Sequence, residues 1–153
     1  LFLKKINLES LLDEIIDNFK ETSSKKIILL TKNDKNKVNF KRTPELVYGL
    51  RNFIGNAVKF SKRNVEIEIT SDKEKVTILI KDDGPGFPDD IIEILGEPYI
   101  KSKSLEVKSN SGTGLGTFLG KTLLERQLAN LSFLNDSVLG GALVNITWKI
   151  KDL

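Results

Sequence analysis

Two asparagines and a lysine share one stripe of a segment with helical periodicity. Asn52, Asn56 and Lys59 stand at positions i, i+4 and i+7, which places them on the same face of an α-helix. The side-chain oxygen of asparagine suits a hard cation such as Mg²⁺, which takes its other ligands from water and phosphates. Lysine is a mobile positive charge that suits phosphate. Taken alone, the stripe is more typical of a polar helix face that simply meets solvent, and a magnesium–phosphate site is the alternative.

An aspartate ends an apolar run just before a glycine turn further along the chain. Asp82 ends the apolar run, and Asp83 leads from it into the turn Gly84-Pro85-Gly86. The Asp82 carboxylate can accept a hydrogen bond from an exocyclic amine such as that of adenine, whereas guanine offers an oxygen at that position. Aspartate before Gly-Pro-Gly is also a good turn sequence without any ligand. Taken alone, this motif favours the turn interpretation.

Three alternating glycines open another segment with helical character. Gly112, Gly114 and Gly116 would expose backbone N–H groups at a helix N-terminus, where positive potential favours phosphate. The pattern is neither the P-loop, which needs Gly-Lys-Ser/Thr, nor the dinucleotide fingerprint. A flexible hinge is the alternative. Taken together, the order and spacing of the three motifs predict a nucleotide site.

The composition excludes several other chemistries. The 153 residues are 39% hydrophobic and 29% charged, with a net charge of +3, which is typical of one globular domain. Cysteine and histidine are absent, so disulfides, thiolate zinc sites and catalytic triads are excluded. No apolar run approaches the roughly 20 residues that span a bilayer, so we expect no direct membrane contact. The lysines are scattered and do not cluster, so we expect no nucleic-acid binding. Because the chain starts at Leu1 and lacks methionine, we expect it to be a fragment of a longer protein.

The periodicity predicts three helices and six strands. Helices are expected over 7–21, with Asn7 as the cap, over 44–61, with Pro44 in the first turn, and over 113–127. Strands are expected over 25–31, 37–42, 65–70, 76–80, 131–135 and 142–150, with 65–70 antiparallel to 76–80 and the last two joined across Gly140-Gly141. Residues 84–111 show little pattern apart from an apolar stretch at 91–95, and this length is typical of an active-site lid. The predicted fold class is an α/β (α+β) sandwich over residues 1–153, with one mixed, mostly antiparallel sheet covered on one face by three helices.

The ordered motifs resemble those of the ATP-binding catalytic domain of sensor histidine kinases. This family belongs to the GHKL superfamily, which has the Bergerat fold and includes gyrase, MutL and a heat-shock chaperone. Residues 52–60 (Asn-Phe-Ile-Gly-Asn-Ala-Val-Lys-Phe) resemble the asparagine box, and residues 82–86 and 112–116 resemble the two glycine boxes. Residues 96–99 (Gly-Glu-Pro-Tyr) resemble the phenylalanine box, with glycine where phenylalanine is usual. Residues 96–99 and 121–126 further resemble RegB-type redox-responsive kinases.

The resemblance implies ATP and Mg²⁺ as the ligands and assigns roles to individual residues. It implies Asn56 as the magnesium ligand, Lys59 at the phosphates and Asp82 at the adenine amine. Because Gly96 replaces phenylalanine, docking of the lid would depend on Tyr99. The implied catalytic residues are Asn52 and Lys59, and the implied cofactor-binding residues are Asn56, Lys59, Phe60, Asp82, Gly84, Gly86, Tyr99, Gly112, Thr113, Gly114, Leu115 and Gly116.

The resemblance also separates phosphoryl transfer from hydrolysis. ATP-hydrolysing relatives place a glutamate one helical turn before the magnesium asparagine, where this chain has Asn52, and asparagine cannot act as a general base. Transfer to a protein nucleophile depends mainly on positioning and charge neutralisation. We therefore expect transfer of the γ-phosphoryl group of Mg-ATP to a histidine in a separate dimerisation domain, with a response regulator downstream. A degenerate nucleotide-binding scaffold and a GHKL-type ATPase are the alternatives. The implied setting is the cytoplasmic part of a bacterial inner-membrane sensor kinase.

Overall fold

The fold is built on a five-stranded mixed sheet, which positions the site residues. The structure is a computed structural model that describes residues 4–32, 38–95, 113–135 and 138–153, with the backbone alone at 113–115. The spatial order of its strands is β2-β4-β5-β7-β6, and their bounds are β2 Lys26–Lys32, β4 Asn64–Ser71, β5 Lys75–Asp82, β6 Asn130–Asn135 and β7 Ala142–Lys149. Strand β2 runs parallel to β4, and the other neighbours are antiparallel. The predicted pairing of 65–70 with 76–80 and the predicted final hairpin are both confirmed.

A second, two-stranded sheet was not expected. Strands β1 (Lys5–Asn7) and β3 (Asn39–Lys41) pair antiparallel and stand apart from the main sheet. The strands predicted over 25–31 and 37–42 therefore belong to different sheets. Phe40 of β3 packs edge-on against Trp148 of β7, with 4.8 Å between the ring centroids, so the small sheet is anchored in the main core.

Three helices lie where the periodicity predicts them. Their bounds are α1 Leu8–Lys20, α2 Pro44–Phe60 and α4 Thr113–Arg126. The side chain of Asn7 accepts a hydrogen bond from the N–H of Ser10 at 3.2 Å, and Thr43 caps α2 through the N–H of Leu46 at 3.1 Å. A short helix α3 (Asp89–Leu95) lies within the stretch in which only an apolar run was noted, and a 3-10 turn covers Ile150–Asp152.

One face of the sheet is packed against the helices. Along β4, β5 and β7 every second side chain is buried and lies in the hydrophobic core: Val65, Ile67, Ile69, Val76, Ile78, Ile80, Val144, Ile146 and Trp148. The mixed sheet with its helical layer confirms the predicted fold class, with four helices among the described residues instead of three.

Helices α2 and α4 approach each other closely because glycines face large side chains across the contact. A Cβ atom at Gly49 of α2 would lie 2.6 Å from Cδ2 of Leu124, and one at Gly120 of α4 would lie 3.0 Å from Cε2 of Phe53. A side chain at Gly49 would displace Leu124, and one at Gly120 would crowd the ring of Phe53. This packing brings the asparagines of α2 next to α4.

Candidate functional site

A cavity of about 240 Å³ opens between α2, α4, the ends of β5 and β7, and the segment that follows β5. Its polar lining comes from the side chains of Asn56, Asp82 and Thr117. The rest of its lining is Phe53, Ala57, Phe60, Ile80, Pro85, Gly86, Phe87, Pro88, Ile91, Ala142 and Val144. An apolar pocket with a few converging polar groups suits a flat heterocycle, whose ring faces are apolar and whose edge is polar.

Asp82 provides an acceptor in this apolar lining. Its residue is 5% exposed, and its Oδ1 accepts hydrogen bonds from the N–H of Gly84 at 2.9 Å and of Ala142 at 3.2 Å. Burial raises the pKa of the Asp82 carboxyl, and these two hydrogen bonds oppose that rise. Both donors use Oδ1, and no described residue donates a hydrogen bond to Oδ2. The second oxygen is therefore the one available to a ligand.

The glycines around Asp82 are required by close approach of other groups. A Cβ atom at Gly84 would lie 2.2 Å from the carbonyl oxygen of Phe60, at the end of α2. Gly86 has a φ of +83°, and a Cβ atom there would lie 2.5 Å from Oδ1 of Asn135. The absence of a side chain at both glycines thus lets the turn lie close to Phe60 and Asn135. Gly86 also lines the cavity.

Gly141 is a site residue that the sequence analysis missed. A Cβ atom there would lie 2.2 Å from the backbone oxygen of Asp82 and 2.4 Å from its Oδ1. The sequence marks Gly140-Gly141 only as a hairpin turn, and no local pattern indicates a partner in β5. The contact follows from the antiparallel pairing of β5 with β7.

Asp83 does not share the role of its neighbour. Its carboxylate accepts hydrogen bonds from the backbone N–H groups of Lys62, Arg63 and Asn64 at 2.7 to 3.2 Å, and from the side chain of Asn64 at 3.1 Å. Desolvation acts to raise the pKa of Asp83, but the hydrogen bonds outweigh it and lower the pKa to about 2. This ionised carboxylate joins the turn after α2 to the end of β5.

The two asparagines of the predicted stripe form a chain of hydrogen bonds with α4. Nδ2 of Asn56 donates to Oδ1 of Asn52 at 3.3 Å and to Oγ1 of Thr117 at 3.1 Å. Both amide hydrogens of Asn56 are therefore engaged, which leaves its Oδ1 as the remaining polar atom of that side chain.

The available oxygen of Asn56 fits a magnesium ion that arrives with a nucleotide. A neutral amide oxygen is a hard ligand, and Mg²⁺ commonly takes one or two protein ligands together with waters and phosphate oxygens. Within the part of the chain that the structure describes, no three acidic side chains cluster in a way that could hold a metal alone. The donor set thus suits a metal shared with phosphates.

The remaining predicted residues have different positions. Lys59 is exposed, and its Nζ lies 5.2 Å from the ring centroid of Phe60, which itself lines the cavity. Gly116 lies beside the asparagines, since a Cβ atom there would be 3.6 Å from Oδ1 of Asn52 and 4.0 Å from Nδ2 of Asn56. The first residues of α4 are Thr113, Gly114 and Leu115. Tyr99 and Gly112 lie outside the described residues, as does most of the segment predicted as a lid.

Lys25, which the sequence analysis did not single out, holds the end of the helix that contains the stripe. Its Nζ donates hydrogen bonds to the carbonyl oxygens of Val58 at 2.6 Å, Lys59 at 3.1 Å and Ser61 at 2.7 Å. Val58 and Lys59 belong to the last turn of α2, where carbonyls lack backbone partners within the helix, although the Val58 oxygen also accepts from the Ser61 hydroxyl at 3.0 Å. A cation at a helix C-terminus is favourable. Lys25 thereby fixes the backbone from which Lys59 and Phe60 project.

Known proteins resemble this chain in sequence. Residues 41–152 match the family described as histidine kinase-, DNA gyrase B-, and HSP90-like ATPase. The sensor histidine kinase RegB of Cereibacter sphaeroides is 39% identical over 127 residues, which cover 73% of this chain and 28% of RegB. The sensor histidine kinase CpxA of Escherichia coli is 30% identical over 112 residues, which cover 68% of this chain and 24% of CpxA. The chain therefore spans less than a third of the length of either relative.

Solved structures resemble it in fold. The catalytic domain of histidine kinase ThkA, in a nucleotide-free form, has a TM-score of 0.76 at 20% identity and covers 97% of this chain and 98% of its own. The ATP-binding domain of PrrB from Mycobacterium tuberculosis has a TM-score of 0.66 at 22% identity, with 94% and 93% covered. At these identities the likeness concerns the fold alone.

Proposed function

Because the chain belongs to the family of histidine kinase-, DNA gyrase B- and HSP90-like ATPases, as an ATP-binding domain of the sensor histidine kinase type, we propose that it binds Mg-ATP and transfers the γ-phosphoryl group to a histidine. That histidine lies in a separate dimerisation domain of the same kinase. The observation that most strongly supports this proposal is Asp82, a buried carboxylate whose Oδ1 is held by two backbone donors inside an apolar cavity.

Asp82 is the residue that selects the base. Its Oδ2 accepts a hydrogen bond from the exocyclic amine of adenine, whereas guanine would bring a carbonyl oxygen towards a carboxylate oxygen. Two acceptors that meet in a buried site leave both without a hydrogen, which is unfavourable. The side chains of Ile80 and Val144, both of which line the cavity, provide apolar contact for the ring.

Asn56, Lys59 and the start of α4 serve the phosphates. The oxygen of Asn56 is the protein ligand of the magnesium ion, which supplies neutralisation of phosphate charge when it is bound. Lys59, exposed at the end of α2, contributes a further positive charge, and the backbone N–H groups at the start of α4, including that of Gly114, lie at a helix N-terminus that favours anions. In this proposal Gly112, Gly114 and Gly116 allow the backbone to come close to the phosphates, and Tyr99 docks the lid.

Transfer is favoured over hydrolysis by the residue that precedes Asn56 on the stripe. Oδ1 of Asn52 accepts a hydrogen bond from Asn56, and an amide has no basic site that could activate water. The chain also has no histidine, so a histidine that accepts the phosphoryl group must belong to another domain. The attacking imidazole nitrogen forms a P–N bond as the bond between the γ-phosphorus and the bridging oxygen breaks, and ADP leaves.

The partners and setting follow from this activity. A response regulator receives the phosphoryl group from the histidine, and the domain works in the cytoplasmic part of a bacterial inner-membrane kinase. None of the helices in the described ranges has both the length and the apolar character needed to cross a bilayer.

Transfer in trans tests the proposal. The chain is mixed with radiolabelled ATP, Mg²⁺ and a histidine-bearing dimerisation domain of its kinase, and the control is the same domain with that histidine replaced by alanine. The expected label appears on the dimerisation domain alone, is lost in acid and survives alkali, as a phosphoramidate does. Steady phosphate release without transfer would support the ATPase alternative, and ATP binding without transfer or hydrolysis would support the scaffold.

A further inference from the structure

Thr117 is a buried polar residue at the cavity to which neither the sequence motifs nor the family resemblance assigns a role. It lies on α4, is 1% exposed and lines the cavity next to Asn56. Its Oγ1 accepts a hydrogen bond from Nδ2 of Asn56 at 3.1 Å, across the contact between α2 and α4. A hydroxyl group in this position connects α4 directly to the side chain proposed to bind the metal.

The hydrogen bond from Asn56 to Asn52 decides which atom of Asn56 a ligand can use, because the Thr117 hydroxyl could either accept or donate. An amide that rotated by half a turn would present its Oδ1 to Oδ1 of Asn52, so two acceptors would meet. With Nδ2 held by Asn52 and by Thr117, the oxygen is left for a cation. An Asn56 without the second partner would have a freer side chain and an unsatisfied N–H at the cavity.

We propose that Thr117 is a positioning residue, which holds the Asn56 amide with its oxygen available to the magnesium ion of the nucleotide. This inference depends on the proposed function of Asn56. It assigns to α4 a role separate from that of the glycines at its start, because the hydroxyl acts on a side chain of α2 and not on the phosphates. The methyl group of Thr117 contributes packing only.

Two substitutions separate the hydroxyl from the methyl group. Thr117→Val keeps the shape of the side chain and removes the hydroxyl, whereas Thr117→Ser keeps the hydroxyl and removes the methyl. Thr122→Val is the matched control, since the Thr122 hydroxyl donates to the backbone oxygen of Phe118 on the same helix at 3.0 Å and Thr122 does not line the cavity. Asn56→Ala reports on the metal ligand itself.

The measurement is calorimetric titration of this chain with ADP, with and without Mg²⁺. For Thr117→Val we expect affinity for Mg-ADP to fall about 3- to 10-fold, the effect of one lost neutral hydrogen bond, while affinity for magnesium-free ADP changes less than about 2-fold. Thr117→Ser and Thr122→Val should retain the parent affinities. Thermal unfolding of each variant checks that it is folded.

The outcomes distinguish this inference from the proposed function. Equal loss with and without Mg²⁺ in Thr117→Val, equal losses in the valine and serine variants, or no loss in Thr117→Val would each overturn the positioning role. If Asn56→Ala loses the magnesium-dependent part of binding while Thr117→Val keeps it, the metal assignment stands and the inference fails. If Asn56→Ala keeps the whole effect of Mg²⁺, the metal assignment itself is wrong and the inference fails with it.

Discussion

The backbone N–H of Ala142 donates a hydrogen bond to Oδ1 of Asp82, 60 residues earlier in the chain. This contact is one of two that fix the carboxylate, and it comes from the strand that pairs with the one Asp82 ends. The orientation of the proposed base-selecting group is therefore set by two sources. One donor, Gly84, belongs to the turn motif that made Asp82 noticeable in the sequence, and the other, Ala142, is supplied by the sheet.

Replacing Asp82 by asparagine should abolish the match to adenine while leaving the cavity in place. The two backbone donors require an acceptor at the position of Oδ1, so the new amide places its oxygen there and its Nδ2 towards the ligand. A donor then faces the adenine amine. The loss of a charge-assisted hydrogen bond predicts an ATP affinity about 10- to 150-fold lower by calorimetry. Equal affinities for the variant and the parent would refute the assignment of Asp82 to the base.

The same substitution should not destabilise the free domain through its charge. Burial raises the pKa of the Asp82 carboxyl, so its ionised form opposes folding, and this unfavourable contribution grows as the pH rises through the raised pKa. Asparagine removes that charge and can keep both backbone hydrogen bonds. Urea unfolding of the nucleotide-free variant at neutral pH, compared with the parent, measures this, and a large loss of stability would contradict it.

Replacing Gly141 by alanine should displace Asp82. The added methyl group would lie 2.2 Å from the Asp82 backbone oxygen, and neither backbone can move without breaking the pairing of β5 with β7. We expect ATP affinity to fall by about 10-fold or more. Gly140→Ala is the control, because Gly140 has a φ of +84° but no atom within 4 Å of a built Cβ. That variant should lose some stability and keep its affinity for ATP.

Replacing Lys25 by methionine should destabilise the domain at the end of α2. Three backbone oxygens lose their shared donor, and the cation at the helix C-terminus is removed. The expected loss is about 1–2 kcal/mol in the free energy of unfolding. Lys26→Met is a suitable control, since Lys26 is exposed and no described residue hydrogen-bonds to its side chain; its effect should stay within about 0.5 kcal/mol. Similar losses in the two variants would argue against the capping role.

The stability of the domain should depend on Asp83 in a defined range of acid pH. Its pKa of about 2 in the folded chain lies below the ordinary value of 3.8, so the ionised carboxylate stabilises the fold above that value. This contribution is lost as the pH falls from about 4 towards 2. Asp83→Asn should therefore be less stable than the parent at neutral pH, and the difference should shrink over that range.

Urea unfolding at several pH values measures this difference. Asp13→Asn serves as the control, because Asp13 is an exposed aspartate on α1 whose side chain has no hydrogen-bond partner among the described residues. A gap between Asp83→Asn and the parent that stays constant down to pH 2 would show that the hydrogen bonds do not depend on the charge of the carboxylate.

Local pattern was enough to predict the elements that surround the site. The bounds of α1, α2 and α4 agree with the predicted ones to within one or two residues at each end, because apolar periodicity and capping residues are local signals. The stripe of Asn52 and Asn56 also follows from helical spacing alone. Both asparagines indeed lie together on α2 and share a hydrogen bond.

Pairing and cross-chain contacts could not be predicted in this way. The pattern of β2 does not show that its partner is β4, in parallel, or that β3 pairs with β1 in another sheet. Gly141 and Thr117 matter through residues far away in the sequence, so their own neighbourhoods give no signal. Asp83 looks equivalent to Asp82 in the sequence. Only the position of the backbone N–H groups of residues 62–64 separates the two carboxylates.

The cavity around Asp82 depends on β7, which is synthesised last. When the chain has emerged from the ribosome as far as β6, the residues of α1, α2, β5 and α4 are all present. The N–H of Ala142 and the close contact of Gly141 with Asp82 are still missing. A ligand stabilises only those states that can bind it. We therefore expect nucleotide not to stabilise the earlier elements while they emerge, because the cavity around Asp82 is complete only once β7 has formed.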